Sequence, residues 1–278
     1  MVDFQFLQNP VSKKWVISSP MRAKRPDMAK GPEPVCPFCL GREKDEAEVF
    51  RIGGTPGEAD WQVRVVPNKF PFAPIHEVII HSPDHHKNFD ELPKDQNVLI
   101  FHAYRQRFLT HKDKGQVVIF NNHGEAGGES LPHPHTQLAV VPHTVHIETP
   151  RLEGVVVENE GKIVETPHFV ISSPYTAQWP DEVLIVPKVR GRMFYETTDE
   201  ELAELASLVK GLILSFTEIY GHEFPYNFYI YPGGDWYLRF IPRVKSIGGF
   251  ELTTGIFINT KDPQDTATYL KQKLQNIS

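Results

Sequence analysis

Ser130-Leu131-Pro132-His133-Pro134-His135-Thr136-Gln137 is the stretch from which the rest of the chain is read. Its two imidazoles, one residue apart in an extended segment, are expected to point to opposite faces and so to serve different tasks. One would ligate a metal or anchor the fold, and the other would face a pocket as nucleophile or base. Gln137 lies two residues beyond His135 and on its face, and its amide can donate to an oxyanion. Just upstream, Asn121-Asn122-His123-Gly124-Glu125-Ala126-Gly127-Gly128-Glu129-Ser130 is a glycine-rich loop of the kind whose backbone N–H groups suit phosphate oxygens. Histidine pairs arise easily in a chain with 13 histidines, and a strand histidine is more often structural. The joint presence of loop, Ser130 and Gln137 favours a site, and covalent chemistry on phosphorus is the expectation.

Outward from this motif a pattern of elements occurs twice. The first copy has a strand at Glu77–Ile80, an amphipathic stretch near Val98–Leu109, and strands at Gln116–Phe120 and Thr136–Val141, the last running into Pro142. The second has a strand at Glu182–Val186, a helix from Asp199 to about Tyr220, and strands at Tyr226–Tyr231 and Tyr237–Ile241, running into Pro242. Thr198, with Glu201 three residues on, forms a capping box for the second helix. Leu202, Leu205, Leu208, Val209, Leu212, Ile213, Phe216 and Ile219 then recur at helical spacing as a core stripe. The expectation is an α+β fold made by internal duplication, with mostly antiparallel sheets. Residues 1–150 form a first half carrying the motif, and 151–278 a second, degenerate half. Where the first copy has His133-Pro134-His135, the second offers Trp236-Tyr237-Leu238-Arg239, so one site of this type is expected per chain.

The chain has 278 residues, 40% hydrophobic and 23% charged, which describes a globular protein with ample core material. A formal charge of −6 argues against a nucleic-acid polymer as partner. No apolar run approaches the ~20 residues of a membrane span, and Met1–Phe6 lacks signal-peptide architecture; a cytoplasmic protein is expected. The two cysteines, Cys36 and Cys39, exclude a disulfide framework. A redox dithiol, two metal thiolates and chance remain, and the turn-rich approach Lys30–Pro34 favours half of a zinc site over a thioredoxin-like unit. His81, His85, His86 and His133 are the candidates for the missing ligands.

The motif His133-Pro134-His135-Thr136-Gln137 resembles that of the galactose-1-phosphate uridylyltransferase family, within the histidine-triad superfamily. Asn9-Pro10, Trp15–Pro20, Arg22–Pro26, Cys36-x-x-Cys39, Asn68–Phe70, Ser82–His85, Phe120–Asn122 and Gly249–Glu251 follow in the family's order. The resemblance implies two histidine-triad-like halves and ping-pong nucleotidyl transfer between a nucleotide-sugar and a hexose 1-phosphate. It implies His135 as nucleophile, with Gln137 and Ser130 as catalytic phosphate contacts and Asn122 as a further one. Arg22, Arg25 and Asn68 would lie near the substrate, and Lys245, Phe250 and Glu251 near the sugar. Cys36, Cys39, His85 and His133 would hold one structural zinc, and the chain would be a homodimer. The sequence departs from the family pattern at Lys69, where aspartate is typical, and at Leu252–Phe257, where a sugar-binding glutamine is typical. Tyr237 and Arg239 occupy positions where some members carry a second His-x-His, so no second metal is expected. Alternatives are a nucleotide-sugar phosphorylase of the ADP-glucose type, a dinucleoside polyphosphate phosphorylase, and a non-catalytic nucleotide-binding scaffold.

Overall fold

The computed structural model describes residues 4–24, 35–152 and 161–275. In chain order the strands and helices are β1 (Gln5–Gln8), β2 (Trp15–Ser18), β3 (Phe50–Ile52), β4 (Val63–Pro67), β5 (Ile75–Ile80), α1 (Lys94–His111), β6 (Gln116–His123), β7 (His135–Val141), β8 (Lys162–Glu165), β9 (Phe169–Ser172), β10 (Val183–Pro187), α2 (Asp199–Tyr220), β11 (Tyr226–Ile230), β12 (Leu238–Pro242), α3 (Gly249–Thr254) and α4 (Pro263–Leu274). β1 and β2 form a separate hairpin. The other strands build one ten-stranded sheet, β3-β4-β5-β7-β6-β11-β12-β10-β9-β8, with every neighbouring pair antiparallel.

The duplication is visible in that order. Outward from the β6–β11 pair, one side reads β6-β7-β5-β4-β3 and the other β11-β12-β10-β9-β8. Each half is thus three strands, a long helix and two strands, with the third and fifth strands paired.

Local chemistry sets the helices. Thr198 Oγ1 accepts from Glu201 N at 3.2 Å while Glu201 Oε2 accepts from Thr198 N at 2.7 Å, which completes the expected capping box of α2. The expected stripe is buried except at its last member, Ile219, in the last turn of α2, which is 39% exposed. α3 and α4 lay outside the sequence expectation, although Asp262-Pro263 carries a start signal: Asp262 Oδ1 accepts from Gln264 N at 2.8 Å, with proline in the first turn.

α1 and α2 pack on one another and on one face of the sheet. Between them lies a single core drawn from both halves, including Ile79, Phe101, Phe108, Ile119 and Leu138 with Leu205, Leu212, Phe216, Phe228 and Phe240. Each such side chain contributes about 1.5–3 kcal/mol by leaving water. The opposite face of the first half packs Cys36, Phe38 and Trp61 against Val66, Val78 and Ile80. That is the face on which the motif lies. No helix among the described residues is long and apolar enough to cross a membrane.

Candidate active site

His135 opens β7 opposite Ile80 of β5, and Gln137 follows opposite Val78, both on the face away from α1 and α2. The two motif imidazoles do separate, but the strand-alternation argument for it was wrong, since residues two apart in a strand share a face. β7 begins only at His135, so His133 lies before the ladder and its ring is free to follow a different direction. His133 is fully buried, and its Nε2 lies 2.9 Å from the Ser82 carbonyl. That bond places the proton on Nε2 and the lone pair on Nδ1. His135 is the reverse: Nδ1–H donates to the His133 carbonyl at 2.9 Å, which puts the lone pair on Nε2. The two rings are therefore held in opposite tautomers.

Beside His135 a cavity of about 280 Å³ opens over β4 and β5, lined by Phe38, Val66, Asn68, Phe70, Ser130, Leu131 and Gln137 among others. The walls are largely apolar, and Arg42, Glu46 and Lys69 line the cavity along with the polar groups Asn68, Ser130 and Gln137. Gln137 Oε1 lies 2.9 Å from His76 Nε2 and accepts from Asn68 Nδ2 at 3.4 Å, so its amide oxygen is pinned and its NH₂ is directed elsewhere. His76 is absent from the expected site because the strand begins at Ile75, two residues before the expected Glu77. Its alternation with Val78 and Ile80 was the available signal. Phe38 packs edge-on against both His133 and His135, with centroids 5.9 and 5.5 Å away.

On the core side of the same strand, a second polar group steadies β7. Asn121 Nδ2 donates to the His135 carbonyl at 2.9 Å and to Thr136 Oγ1 at 3.1 Å, and Thr136 Oγ1 meets Tyr104 OH at 2.5 Å and His81 Nε2 at 2.9 Å. Burial holds the His81 imidazole well below its usual range, so it stays neutral in the core.

Cys36, Cys39, His85 and His133 converge, with their ligating atoms all within 4.8 Å of one another. Cys39 Sγ is 3.1 Å from His85 Nδ1 and 3.8 Å from His133 Nδ1, and Cys36 Sγ is 3.6 Å from His133 Nδ1. A tetrahedral ion bonded to sulfur at ~2.3 Å and nitrogen at ~2.0 Å has edges of about 3.3–3.8 Å, close to this spacing. Burial pushes the Cys36 thiol up to about 11, so a thiolate there needs a cation beside it. The donor set fits a metal ion. His86 is exposed and points away, which selects His85 from the histidine-rich stretch.

Other expectations are revised. The glycine loop is not an open cradle: the N–H groups of Gly127, Gly128 and Glu129 bond to loop carbonyls, and that of Gly124 donates to Glu129 Oε2 at 2.7 Å. A 3₁₀ turn at Glu125–Gly127 makes this closure possible. Asn122 does not line the cavity, since its Oδ1 accepts from Asn227 Nδ2 at 2.9 Å, across the seam between the halves. Arg22 sits behind the wall, donating through Nη1 to the Phe70 carbonyl at 2.6 Å and lying 4.9 Å from the Phe72 ring centroid. Arg25 lies outside the described residues. Lys245, Phe250 and Glu251 are near one another but not at the cavity: Lys245 Nζ donates to buried Glu251 at 3.0 Å, and Phe250 is exposed on α3. The chain returns through α3 on the second half, and that position follows from tertiary packing that spacing alone did not reveal.

The comparisons with known proteins follow the same lines. Residues 75–144 match the family model described as galactose-1-phosphate uridyl transferase, N-terminal domain, and residues 112–233 match that of its C-terminal domain. An ADP-glucose phosphorylase from Arabidopsis thaliana is 29% identical, with 95% of this chain aligned to 92% of that one. A galactose-1-phosphate uridylyltransferase from Thermotoga maritima is 26% identical over 95% of this chain and 96% of its own. The crystal structure of an Arabidopsis thaliana ADP-glucose phosphorylase with bound ADP-glucose superposes with a TM-score of 0.75 at 26% identity, covering 97% of this chain and 98% of that one. With matching models in both halves and relatives that align along nearly the whole chain, this protein belongs to the galactose-1-phosphate uridylyltransferase family of nucleotidyltransferases.

Proposed function

We propose that the protein transfers a uridylyl group between UDP-glucose and a hexose 1-phosphate such as galactose 1-phosphate, through a nucleotidyl intermediate on His135. The observation that carries this reading is the His135 ring itself, whose Nδ1–H is fixed on the His133 carbonyl while the ring lines the cavity. Nε2 attacks the α-phosphorus, an N–P bond forms, and the bond to the bridging oxygen breaks with its electron pair leaving on the hexose 1-phosphate. The positive charge that develops on the ring is eased through the Nδ1–H···O bond. The second half-reaction reverses these changes: a phosphate oxygen of the acceptor attacks and Nε2 departs with its lone pair. A neutral imidazole is already nucleophilic at neutral pH, so no separate base is needed. Gln137 NH₂ and Ser130 OH serve as donors to the phosphoryl oxygens, where positioning and charge neutralisation supply most of the catalysis. Asn68 and Arg22 shape the nucleoside wall.

In this reading the ion at Cys36, Cys39, His85 and His133 is zinc, and it is structural, because four protein ligands leave no position for substrate. Bound there, it supplies rigidity to the segment that aims His135. The reading further includes residues 1–150 and 151–278 as the two duplicated units, a cytoplasmic location and a homodimer, the last as the family resemblance implies.

A second reading, an ADP-glucose:phosphate adenylyltransferase, is favoured by the 29% identity to the Arabidopsis phosphorylase and by Lys69, which stands at the cavity and pairs with Glu46 at 2.5 Å. Intact-protein mass spectrometry after separate incubation with UDP-glucose, UDP-galactose and ADP-glucose decides between them. A uridylyl adduct discharged by galactose 1-phosphate and absent from His135→Gly is the expected result. An adenylyl adduct discharged by inorganic phosphate replaces the first reading with the second. An adduct of equal yield in His135→Gly refutes the nucleophile.

A further inference from the structure

Arg243 is a half-buried cation without a carboxylate partner among the described residues. Its Nη1 donates to Asn227 Oδ1 at 2.7 Å, its guanidinium carbon lies 4.7 Å from the Trp179 ring centroid, and its buried Nε has no hydrogen-bond partner. The other buried arginines are neutralised: Arg64 by Glu48, Arg107 by Glu77 and Arg239 by Glu182. A guanidinium withdrawn from water with no counter-charge is costly, and the usual resolution is an anion.

Its place in the sheet says which anion. β7, β6 and β11 are consecutive, and the pairings Asn121 with Thr136 and Asn122 with Asn227 set His135, Asn122 and Asn227 in one row across the three strands. At ~4.8 Å per strand, Asn227 is about 10 Å along that row from His135. Asn227 Nδ2 donates to Asn122 Oδ1 at 2.9 Å and to the Gly127 carbonyl at 2.7 Å, which turns its amide oxygen toward Arg243. The cavity runs the other way from His135, over β5 and β4. His135 thus stands between a mostly apolar cavity on one side and Arg243 on the other. A phosphoanhydride laid across His135 with its nucleoside in the cavity directs its distal phosphate toward the second half, where Arg243 is.

We propose that Arg243 binds the phosphate that leaves the donor and enters with the acceptor: the β-phosphate of the nucleotide-sugar, and equally the phosphate of an incoming hexose 1-phosphate or inorganic phosphate. The proposal rests on the nucleotidyl-transfer reading of His135. Asn227 occupies Nη1, Trp179 supports the guanidinium plane and Nε is buried, so Nη2 is the nitrogen left to receive a phosphate oxygen. Charge on that phosphate grows as the anhydride bond breaks, so the contact strengthens toward the transition state.

Calorimetric titration of inorganic phosphate and of glucose 1-phosphate into wild type, Arg243→Met and Arg243→Lys tests this, with thermal melts confirming that each variant is folded. Arg243→Met should bind both ligands ~10- to 100-fold more weakly, as expected for loss of a charge-assisted hydrogen bond and its ion pair. Arg243→Lys should recover part of that loss. AMP and UMP, which end at the α-phosphate, should bind all three proteins alike. The nucleotidyl adduct of Arg243→Met should form and discharge more slowly by a similar factor. Equal binding of phosphate and glucose 1-phosphate by all three proteins overturns the proposal. Should Arg243→Met fail to fold, Asn227→Ala, which releases the guanidinium, is held to the same comparison. A wild-type protein that forms no adduct yet binds phosphate through Arg243 refutes the nucleotidyl-transfer reading and leaves the phosphate site standing.

Discussion

At the scale of single residues, Cys36, Cys39, His85 and His133 form a cluster that could hold a metal ion, and an ion bound there would couple folding to metal. Sγ and Nδ1 atoms already lie at the spacing of a tetrahedron's edges, and the Ser82 carbonyl fixes the His133 tautomer from behind. Removing one thiolate leaves three ligands and a buried cation of reduced affinity. Cys36→Ser should therefore lose zinc in proportion to its fall in melting temperature, by ~10-fold or more in affinity. Plasma emission spectrometry on the purified variant, read beside a calorimetric melt, checks this, and full zinc with an unchanged melt removes Cys36 from the site. Cys36 and Cys39 were readable in the sequence as half of a metal cluster, with His81, His85, His86 and His133 as candidates for the rest. The choice of His85 over His86 was not, since adjacent residues differ only in the direction the folded backbone gives them.

At the scale of elements, the loop between β6 and β7 has folded onto itself through Glu129. Burial pushes the Glu129 carboxyl up to about 7, opposed by the Gly124 N–H bond and aided by Glu223, while burial pushes nearby His123 down to about 4. An acid whose folded pKa lies above its ordinary value of 4.5 holds its proton longer when folded, so its ionisation costs stability as pH rises from about 4.5 to 7. His123 acts oppositely, costing stability as pH falls from 6.5 toward about 4. Glu129→Gln, which keeps an acceptor for Gly124 and removes only the titration, should gain stability over wild type progressively between pH 4.5 and 7, by up to about 3 kcal/mol. Urea denaturation of both proteins at several pH values measures it, and a difference that stays constant with pH contradicts it. Glycine content suggested an open phosphate cradle here. Composition could not show that the 3₁₀ turn would use up the loop's own amides.

Among the described residues the two halves share one ten-stranded sheet and one main core. The β6–β11 ladder carries five registered pairs across the seam, from Tyr226–His123 to Ile230–Ile119, and the core mixes side chains of both halves. A fragment of residues 1–150 would present β6 as a bare edge and α1 without its neighbour α2. It should aggregate or remain expanded, as read by size-exclusion chromatography and near-ultraviolet circular dichroism. A monomeric, cooperatively melting fragment would show that the first half is an autonomous domain. The seam matters to the site as well, because Asn227 of the second half stands in the row that begins at His135 and its amide oxygen accepts from Arg243.

The sequence by itself determined the α+β duplication, the capped helix α2, the Cys36–Cys39 half of the metal cluster and the pairing of His135 with Gln137. These rest on local signals: strand and helix periodicity, a capping box, and ligand types at close spacing. Tertiary structure alone decided what lies opposite what. It gave His76 and Asn68 to Gln137, carried Asn122 across the seam to Asn227, and placed Lys245, Phe250 and Glu251 away from the cavity. Contacts of this kind depend on strand order and register between segments about 60 to 100 residues apart, fixed by which buried faces pack together rather than by any one segment's pattern.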